Sequence, residues 1–177
     1  MPPLRDMSQG APIPKRVLFV CTGNSCRSVM AQDLLQHRLK QLEHHLEEPI
    51  EVLSAGVFAM EGMPASKETV RLLQREGVDY SGHMARRLSD NMIRQAEWIF
   101  VMEPLHREEI LRRVPEAKRK VHLLRMFGAA PQGVSPEQMI VPDPVGKPAE
   151  VYEVCFAMVR EAVERIAQTL TSPRKPS

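Results

Sequence analysis

A cysteine and an arginine lie close together near the start of the chain, where residues 17–28 read VLFVCTGNSCRS. Cys21 follows an apolar run that is typical of a buried strand, and Arg27 comes six positions later, after Gly23 and Asn24. Glycine and asparagine tolerate the left-handed backbone conformations that a tight loop requires. We therefore expect a strand-to-helix loop that begins at Cys21, with the cysteine side chain pointing into it.

A loop of this kind can bind an anion, because its backbone N–H groups converge on one point and the following helix adds positive potential. The same potential favours a thiolate, so Cys21 is the expected nucleophile at neutral pH. The planar guanidinium of Arg27 matches two oxygens of a tetrahedral anion, and the Ser28 hydroxyl can donate a hydrogen bond to the sulfur. These groups suit attack on phosphorus, which gives a cysteinyl-phosphate that water later hydrolyses. The expected phosphate-binding residues are Thr22, Gly23, Asn24, Ser25, Cys26, Arg27 and Ser28.

The leaving group of a phosphate ester needs a proton, and general acid catalysis of this kind contributes about 10²–10⁴ in rate. Asp143 lies late in the chain within VPDPVGKP, between two prolines that fix the local backbone. Asp143 is therefore the candidate acid, and later the candidate base for the hydrolytic water. An ordinary turn residue is the alternative explanation for this aspartate.

The rest of the chain must hold these groups in place. Four short apolar runs predict buried strands, at residues 17–20, 50–53, 98–102 and 121–124. Helical patterns occupy residues 28–46, 66–76, 90–96, 104–113 and 149–170. The alternation predicts an α/β fold, a three-layer doubly wound sheet of about four parallel strands with helices on both faces. Ligands bind such sheets at the carboxyl ends of the strands, which is where Cys21 lies.

Length and composition indicate one domain, since the chain has 177 residues of which 43% are hydrophobic. We expect the domain to span residues 15–170, with flexible tails at 1–14 and 171–177. A net charge of +2 is too small to favour nucleic acid or a membrane as a partner. No apolar run approaches the ~20 residues that span a bilayer, and we expect a cytoplasmic protein.

The chain has three cysteines, which are too few for a disulfide framework. Cys26 has two explanations that stay open: it pairs with Cys21 under oxidation, or it packs at the start of the helix. Cys155 lies within the closing helical pattern. The spacing does not fit a metal site, and we expect neither a metal nor a cofactor.

The combined pattern of Cys21-x5-Arg27-Ser28 near the N-terminus and a late Asp143-Pro144 resembles the low-molecular-weight protein tyrosine phosphatases. The resemblance extends from about Lys15 to Leu170, and bacterial protein arginine phosphatases belong to the same family. It implies that Cys21 is the nucleophile, Arg27 the phosphate-binding arginine and Asp143 the acid.

The resemblance also assigns supporting residues. It implies that Asn24 and Ser28 organise the phosphate loop and that His83 braces it. Phe58 and Met60, which follow the second predicted strand, are either a pocket wall or part of a mobile loop.

Phosphorylated proteins are the substrates that the resemblance implies, with phosphotyrosine first and phosphoarginine as the alternative. Many tyrosine enzymes of the family have aromatic residues after the Asp-Pro pair, where this chain has Val145 and Gly146. The position of Ser25 is often aliphatic in the tyrosine enzymes and is threonine in the arginine phosphatases. The small hydroxyl of Ser25 therefore keeps phosphoarginine open.

Thioredoxin-coupled arsenate reductases share this fold, and the string CTGNSCRS resembles theirs. Those reductases pass oxidation to a further cysteine pair after the third strand, where this chain reads VMEPLHREEI without a cysteine. The missing pair favours a phosphatase over a reductase. An inactive phosphate-binding module is a further alternative, against which the intact Cys21, Arg27 and Asp143 argue.

Overall fold

The structure is a computed structural model that describes residues 13–129 and 133–173. Residues 1–12 and 174–177, which form most of the two predicted tails, lie outside the described residues. The strands are β1 (Lys15–Cys21), β2 (Ile50–Gly56), β3 (Trp98–Val101) and β4 (Val121–Leu123). They form one parallel sheet in the order β2-β1-β3-β4. The predicted sheet of four parallel strands is confirmed.

Helices cover both faces of this sheet. The α-helices are α1 (Arg27–Gln41), α2 (Lys67–Arg75), α3 (Asp90–Gln95), α4 (Pro104–Arg113), α5 (Pro136–Met139) and α6 (Ala149–Thr171). Short 3-10 helices lie at Glu43–His45, Pro115–Lys120 and Leu124–Met126. Helix α6 includes Thr171, the first residue of the predicted C-terminal tail. No helix in the described ranges is long and apolar enough to cross a membrane.

The alternation of side chains along β1 explains the two cores. Val17 and Phe19 are buried in the cluster that contains residues of α1, α2 and α6, whereas Leu18 and Val20 belong to the cluster on the side of α3 and α4. Successive residues of a strand point to opposite faces, so a strand covered on both faces is apolar throughout. The run VLFV therefore marks the central strand of a three-layer fold.

The order of the strands places the topological switch point of the sheet beside Cys21. The chain passes from β1 to β2 on one side and then crosses to β3 on the other side of β1. A doubly wound sheet binds ligands at such a switch point, outside the carboxyl ends of its strands. Cys21 is the last residue of β1, and Glu103 lies two positions beyond the end of β3.

The predicted helix at residues 28–46 is too long, because α1 ends five residues earlier. The Leu42 N–H is shared between the carbonyls of Arg38 and Leu39, which tightens the last turn into 3-10 geometry. Leu42 and Leu46 nevertheless pack against the buried cluster. A 3-10 turn thus returns Leu46 to the apolar face, and the sequence pattern does not distinguish that turn from a longer helix.

Gly56, at the end of β2, lets the loop that follows β1 lie against this strand. A Cβ atom at Gly56 would lie 2.5 Å from the Thr22 carbonyl oxygen and 2.9 Å from the Asn24 nitrogen. Both are backbone atoms that cannot move without displacing the loop. We expect Gly56→Ala to lower the free energy of unfolding by about 3 kcal/mol and to reduce activity, as measured by chemical denaturation and initial rates.

Gly77 provides the matched control. A Cβ there would meet no atom within 4 Å, although its φ of +81° is unfavourable for alanine. Gly77→Ala should cost only about 1 kcal/mol and leave activity intact. Equal losses in the two variants would show that the close approach at Gly56 does not matter.

Candidate active site

The loop that follows β1 is shaped by Asn24, which has a φ of 53°. Among the described residues, Asn24 is the only one other than glycine with a positive φ. Asparagine adopts this left-handed conformation more readily than most residues. Gly23 is not among the residues with positive φ, so of the two loop residues expected to allow such a backbone, only Asn24 uses it.

Hydrogen bonds on every side hold Asn24 in place. Its side-chain nitrogen Nδ2 donates to the Ser28 hydroxyl at 2.8 Å and to the Ser54 hydroxyl at 2.9 Å. Its side-chain oxygen accepts the backbone N–H of Arg86 at 2.9 Å. His83 Nε2–H donates to the Asn24 carbonyl at 2.8 Å. The structure thus brings His83 against the loop, where the resemblance expects it.

The Cys21 sulfur lies at the floor of this loop and is buried. Ser28 Oγ is 2.9 Å from it, and the Asn24 backbone N–H donates to it at 3.3 Å. Because Ser28 Oγ already accepts from the Asn24 amide, its own hydrogen is available for the sulfur. Both contacts stabilise a negatively charged sulfur.

Arg27 begins α1 and is almost fully buried, at 1% side-chain exposure. Its Nη1 donates to Glu103 Oε2 at 2.9 Å and to the Val141 carbonyl at 2.8 Å. Its Nη2 donates to Thr22 Oγ1 at 3.3 Å and lies 3.5 Å from Asp143 Oδ2. One side of the guanidinium is therefore fixed, while the other lies between the phosphate loop and Asp143.

The charges around Arg27 oppose the effect of its burial. Burial lowers the pKa of Arg27, but the negative charges of Cys21, Glu103 and Asp143 outweigh it and hold the pKa above its ordinary value. The guanidinium therefore remains a permanent cation in the buried site.

The segment before Asp143 is anchored at consecutive groups. The Val141 N–H donates to the Met102 carbonyl at 3.0 Å, and the Val141 carbonyl accepts from Arg27. The Cys155 thiol of α6 donates to the Pro142 carbonyl at 3.7 Å. Asp143 itself is 44% exposed, and its Oδ1 accepts the backbone N–H of Val145 at 3.1 Å. The predicted acid thus lies at the mouth of the loop on a fixed backbone.

Glu103 and His106, which sequence reasoning missed, complete the site from the end of β3. Glu103 forms the ion pair with Arg27, and His106 Nε2 lies 2.9 Å from Thr22 Oγ1. Their position in the sequence could have identified them. Both follow the third predicted strand in VMEPLH, at the same edge of the sheet as Cys21.

His106 is a buried neutral histidine. Its Nδ1 accepts the Glu103 backbone N–H at 3.2 Å, so its proton is on Nε2. Burial, with a contribution from Arg27, lowers the pKa of His106 from 6.5 to about 4.

This shift predicts a loss of stability in mild acid. As the pH falls through 6.5, the unfolded chain binds a proton at His106 that the folded chain does not bind until about pH 4. The free energy of unfolding should therefore fall across this window, by about 3 kcal/mol from this group. Denaturation of the wild type and of His106→Gln from pH 7 to pH 4 measures the effect.

The difference between the two proteins isolates His106, because the pKa values of His83 and His122 are also lowered by burial and act in the same direction. The wild type should lose more stability than His106→Gln. Parallel curves would contradict the neutral, buried state of His106.

The other two cysteines are free thiols, as is Cys21. Cys26 is the N-cap of α1, and its thiol donates to Ser66 Oγ at 3.3 Å. It packs at the helix start in this reduced state, and its pairing with Cys21 stays a prediction. Burial raises the pKa of Cys155 to about 12, so this thiol does not ionise.

Phe58 and Met60 are both exposed, at 68% and 69%. The Phe58 N–H donates to the Thr22 carbonyl at 2.9 Å, which fixes the backbone next to the loop.

No group of three or more potential ligands for a metal ion occurs among residues 13–129 and 133–173.

A buried thiol at the floor of a strand-to-helix loop, on a doubly wound sheet, fits the cysteine-dependent phosphoric monoester hydrolases. Comparison with known proteins specifies the class further. The family model described as low molecular weight phosphotyrosine protein phosphatase matches residues 16–175. The chain belongs to this family.

Individual relatives cover nearly the whole domain. A protein named protein-arginine-phosphatase, from Geobacillus stearothermophilus, is 37% identical over 89% of this chain and 97% of its own length. The structure of the YwlE arginine phosphatase from the same organism has a TM-score of 0.74 and 38% identity, over 89% of this chain and 93% of that one. The low molecular weight protein tyrosine phosphatase of T. tengcongensis has a TM-score of 0.76 and 35% identity, over 88% of this chain and 99% of that one.

Proposed function

We propose that this chain is a cysteine-dependent phosphatase that removes phosphoryl groups from phosphorylated proteins. The observation that carries the proposal is the position of Arg27 Nη2, which lies 3.3 Å from Thr22 in the loop and 3.5 Å from the Asp143 carboxylate. This arginine thus joins the anion site at Cys21 to a carboxyl group at its mouth. A phosphatase of this kind needs a nucleophile, an anion site and an acid in that arrangement.

In the first step the Cys21 sulfur attacks phosphorus while the loop binds the phosphoryl oxygens. The residues from Thr22 to Ser28 form this loop, and the N–H and O–H groups around the sulfur support the thiolate. A phosphorus–sulfur bond forms, the bond to the leaving group breaks, and Asp143 gives its proton to the leaving group.

In the second step water attacks the cysteinyl-phosphate. Asp143 now accepts the proton of the water, the phosphorus–sulfur bond breaks, and inorganic phosphate leaves. The Ser28 hydroxyl, 2.9 Å from the sulfur, stabilises the thiolate as it forms again.

The acid role of Asp143 predicts a dependence on the leaving group. Asp143→Asn should slow release from phosphotyrosine by about 10²–10⁴, because the tyrosine oxygen then leaves without a proton. A nitro-substituted aryl phosphate should lose much less rate in the phosphorylation step, because its nitrophenolate leaves readily as an anion without a proton. Rapid-quench measurement of the first turnover on both substrates tests this, and an equal loss on both would remove Asp143 as the acid.

Phosphotyrosine is the first substrate that we propose, in line with the family to which the chain belongs. Phe58, whose backbone N–H donates to the Thr22 carbonyl of the loop, supplies an exposed ring for the aromatic side chain of the substrate.

Phosphoarginine is a second candidate, and specific observations favour it. A relative that is 37% identical carries the name protein-arginine-phosphatase. Val145, which follows Asp143-Pro144, is 56% exposed and aliphatic, so no ring stands there to flank a tyrosine. The Thr22 and Ser25 hydroxyls supply polar groups within the loop, and the Asp143 carboxylate attracts a guanidinium.

Two peptides of the same flanking sequence distinguish the candidates, one with phosphotyrosine and one with phosphoarginine. Initial rates of phosphate release give kcat/KM for each, with Cys21→Ser as the control. A higher value for phosphotyrosine supports the first candidate, and the reverse order assigns the site to phosphoarginine. Failure to hydrolyse either peptide would contradict the proposed function.

A further inference from the structure

The Thr22 side chain has a hydrogen-bonding arrangement that its place in the loop does not require. Thr22 Oγ1 lies 2.9 Å from His106 Nε2 and 3.3 Å from Arg27 Nη2. Arginine can only donate. The His106 ring also donates here, because its Nδ1 already accepts the backbone N–H of Glu103. Thr22 therefore accepts two hydrogen bonds.

Two accepted hydrogen bonds leave the Thr22 hydroxyl able only to donate its own hydrogen. A hydroxyl has two lone pairs and one hydrogen, and both lone pairs are occupied. Thr22 Oγ1 has no acceptor for its hydrogen among the described residues. The hydrogen is therefore available for a group that enters the site.

The surroundings of the Thr22 hydroxyl limit which acceptor it can reach. Thr22 follows Cys21 directly, and the Arg27 nitrogen beside its hydroxyl also lies 3.5 Å from Asp143 Oδ2. The Thr22 hydroxyl and the Asp143 carboxyl thus both lie beside the same nitrogen of Arg27. A phosphoryl oxygen bound by Arg27 Nη2 is within reach of both donors. An anionic oxygen is the acceptor that gains most from a neutral hydroxyl donor.

We propose that the Thr22 hydroxyl is a catalytic residue that donates a hydrogen bond to a phosphoryl oxygen, and that His106 is the positioning residue that makes it a donor. The inference rests on the proposed function, because it assumes that the loop binds a phosphoryl group. No bond forms or breaks at Thr22. It supplies a side-chain donor in addition to the backbone N–H groups of the loop, and it acts in both steps.

His106 donates to Thr22 from a buried position. Its imidazole has 0% exposure and is held between the Glu103 backbone and Thr22. Without this donor, one Thr22 lone pair would be free and the hydroxyl could rotate away from the bound oxygen. A glutamine at this position can still donate through its amide, whereas leucine cannot.

The test measures binding of inorganic phosphate by calorimetry, together with kcat/KM on a phosphotyrosine or phosphoarginine peptide, whichever the wild type hydrolyses. Thr22→Val keeps the shape of the side chain and removes the hydroxyl, while Thr22→Ser keeps the hydroxyl. We expect Thr22→Val to weaken phosphate binding about ten- to hundredfold and to lower kcat/KM at least as much. Thr22→Ser should stay within about threefold of the wild type. Thr169→Val, near the end of α6, is the control for loss of a threonine hydroxyl.

A positioning role for His106 predicts partial recovery by the conservative change. His106→Leu should weaken phosphate binding, and His106→Gln should recover part of the loss. The thermal midpoint of each variant, with and without phosphate, separates folding from binding, since a merely structural role would lower the midpoint but leave its rise with phosphate unchanged.

The outcomes separate the two proposals. Turnover that depends on Cys21, combined with equal phosphate affinity in Thr22→Val and the wild type, overturns the inference and leaves the proposed function in place. Phosphate binding by the wild type without any turnover overturns the proposed function, and a weaker affinity in Thr22→Val would then still support the donor role. Equal weakening in Thr22→Val and Thr22→Ser would also overturn the inference.

Discussion

Cys21→Ser is expected to abolish turnover, with a fall in kcat on the order of 10⁴–10⁶, the scale seen when a catalytic nucleophile is removed. A serine hydroxyl stays protonated in conditions where a cysteine sulfur ionises, and it is a weaker nucleophile toward phosphorus. The hydrogen bonds from Ser28 and the Asn24 N–H, at 2.9 and 3.3 Å, stabilise a charged sulfur and do not replace a base. Phosphate release at high enzyme concentration measures the residual rate.

The same variant should still bind inorganic phosphate, because the loop backbone and Arg27 are unchanged. Phosphate affinity and the thermal midpoint therefore serve as internal controls for folding. Retained turnover in a variant that is folded and binds phosphate would exclude Cys21 as the nucleophile. Loss of both turnover and phosphate binding would place Cys21 in the structure of the loop rather than in the chemistry.

Arg27→Lys is expected to give the second large effect, a fall in kcat/KM of about 10³, the lower end of what an arginine contributes to phosphoryl transfer. The guanidinium bonds to Glu103, Val141 and Thr22 through two nitrogens, which leaves Nε–H and the second hydrogen of Nη2 for an anion. A lysine ammonium has three donors on a flexible stem and cannot reproduce this fork. Steady-state kinetics on the phosphopeptide that the wild type hydrolyses measures the loss.

Arg38→Lys, on the same helix, is the matched control. Arg38 is 36% exposed and pairs with Glu164 away from the loop. An exposed ion pair contributes little, so this change should leave kcat/KM unchanged and lower stability by no more than about 1 kcal/mol. Similar kinetic losses in Arg38→Lys and Arg27→Lys would contradict the special role of Arg27.

The parts of the molecule that were predictable from sequence are those that local physical rules determine. The apolar run VLFV indicates a strand buried on both faces, and Gly23 with Asn24 indicates a tight loop after it. The resemblance then adds roles that no spacing reveals, such as that of His83, which donates to the Asn24 carbonyl at 2.8 Å. Local pattern and family likeness together therefore predict the sheet and the loop.

Long-range contacts explain what was missed. Glu103 and His106 reach Arg27 and Thr22 only because β3 lies next to β1, and the sequence gives the order of the strands only through the rule for doubly wound sheets. Sequence separations of 76 and 84 residues carry no local signal for these contacts. The extra length predicted for α1 comes from the local pattern instead. The periodic leucines continue past the residue at which the hydrogen bonds change.

A cysteinyl-phosphate on Cys21 is the most direct test of the proposed chemistry. The suitable protein is Asp143→Asn with a nitro-substituted aryl phosphate, because the first step then needs no proton donor and the second step lacks its base. The reaction is quenched in acid within the first turnovers, and the digested chain is analysed by mass spectrometry. We expect a phosphoryl group on the peptide that contains Cys21 and on no other residue. Continued turnover with no phosphorylated Cys21 at any quench time, or a phosphoryl group on a different residue, would contradict it.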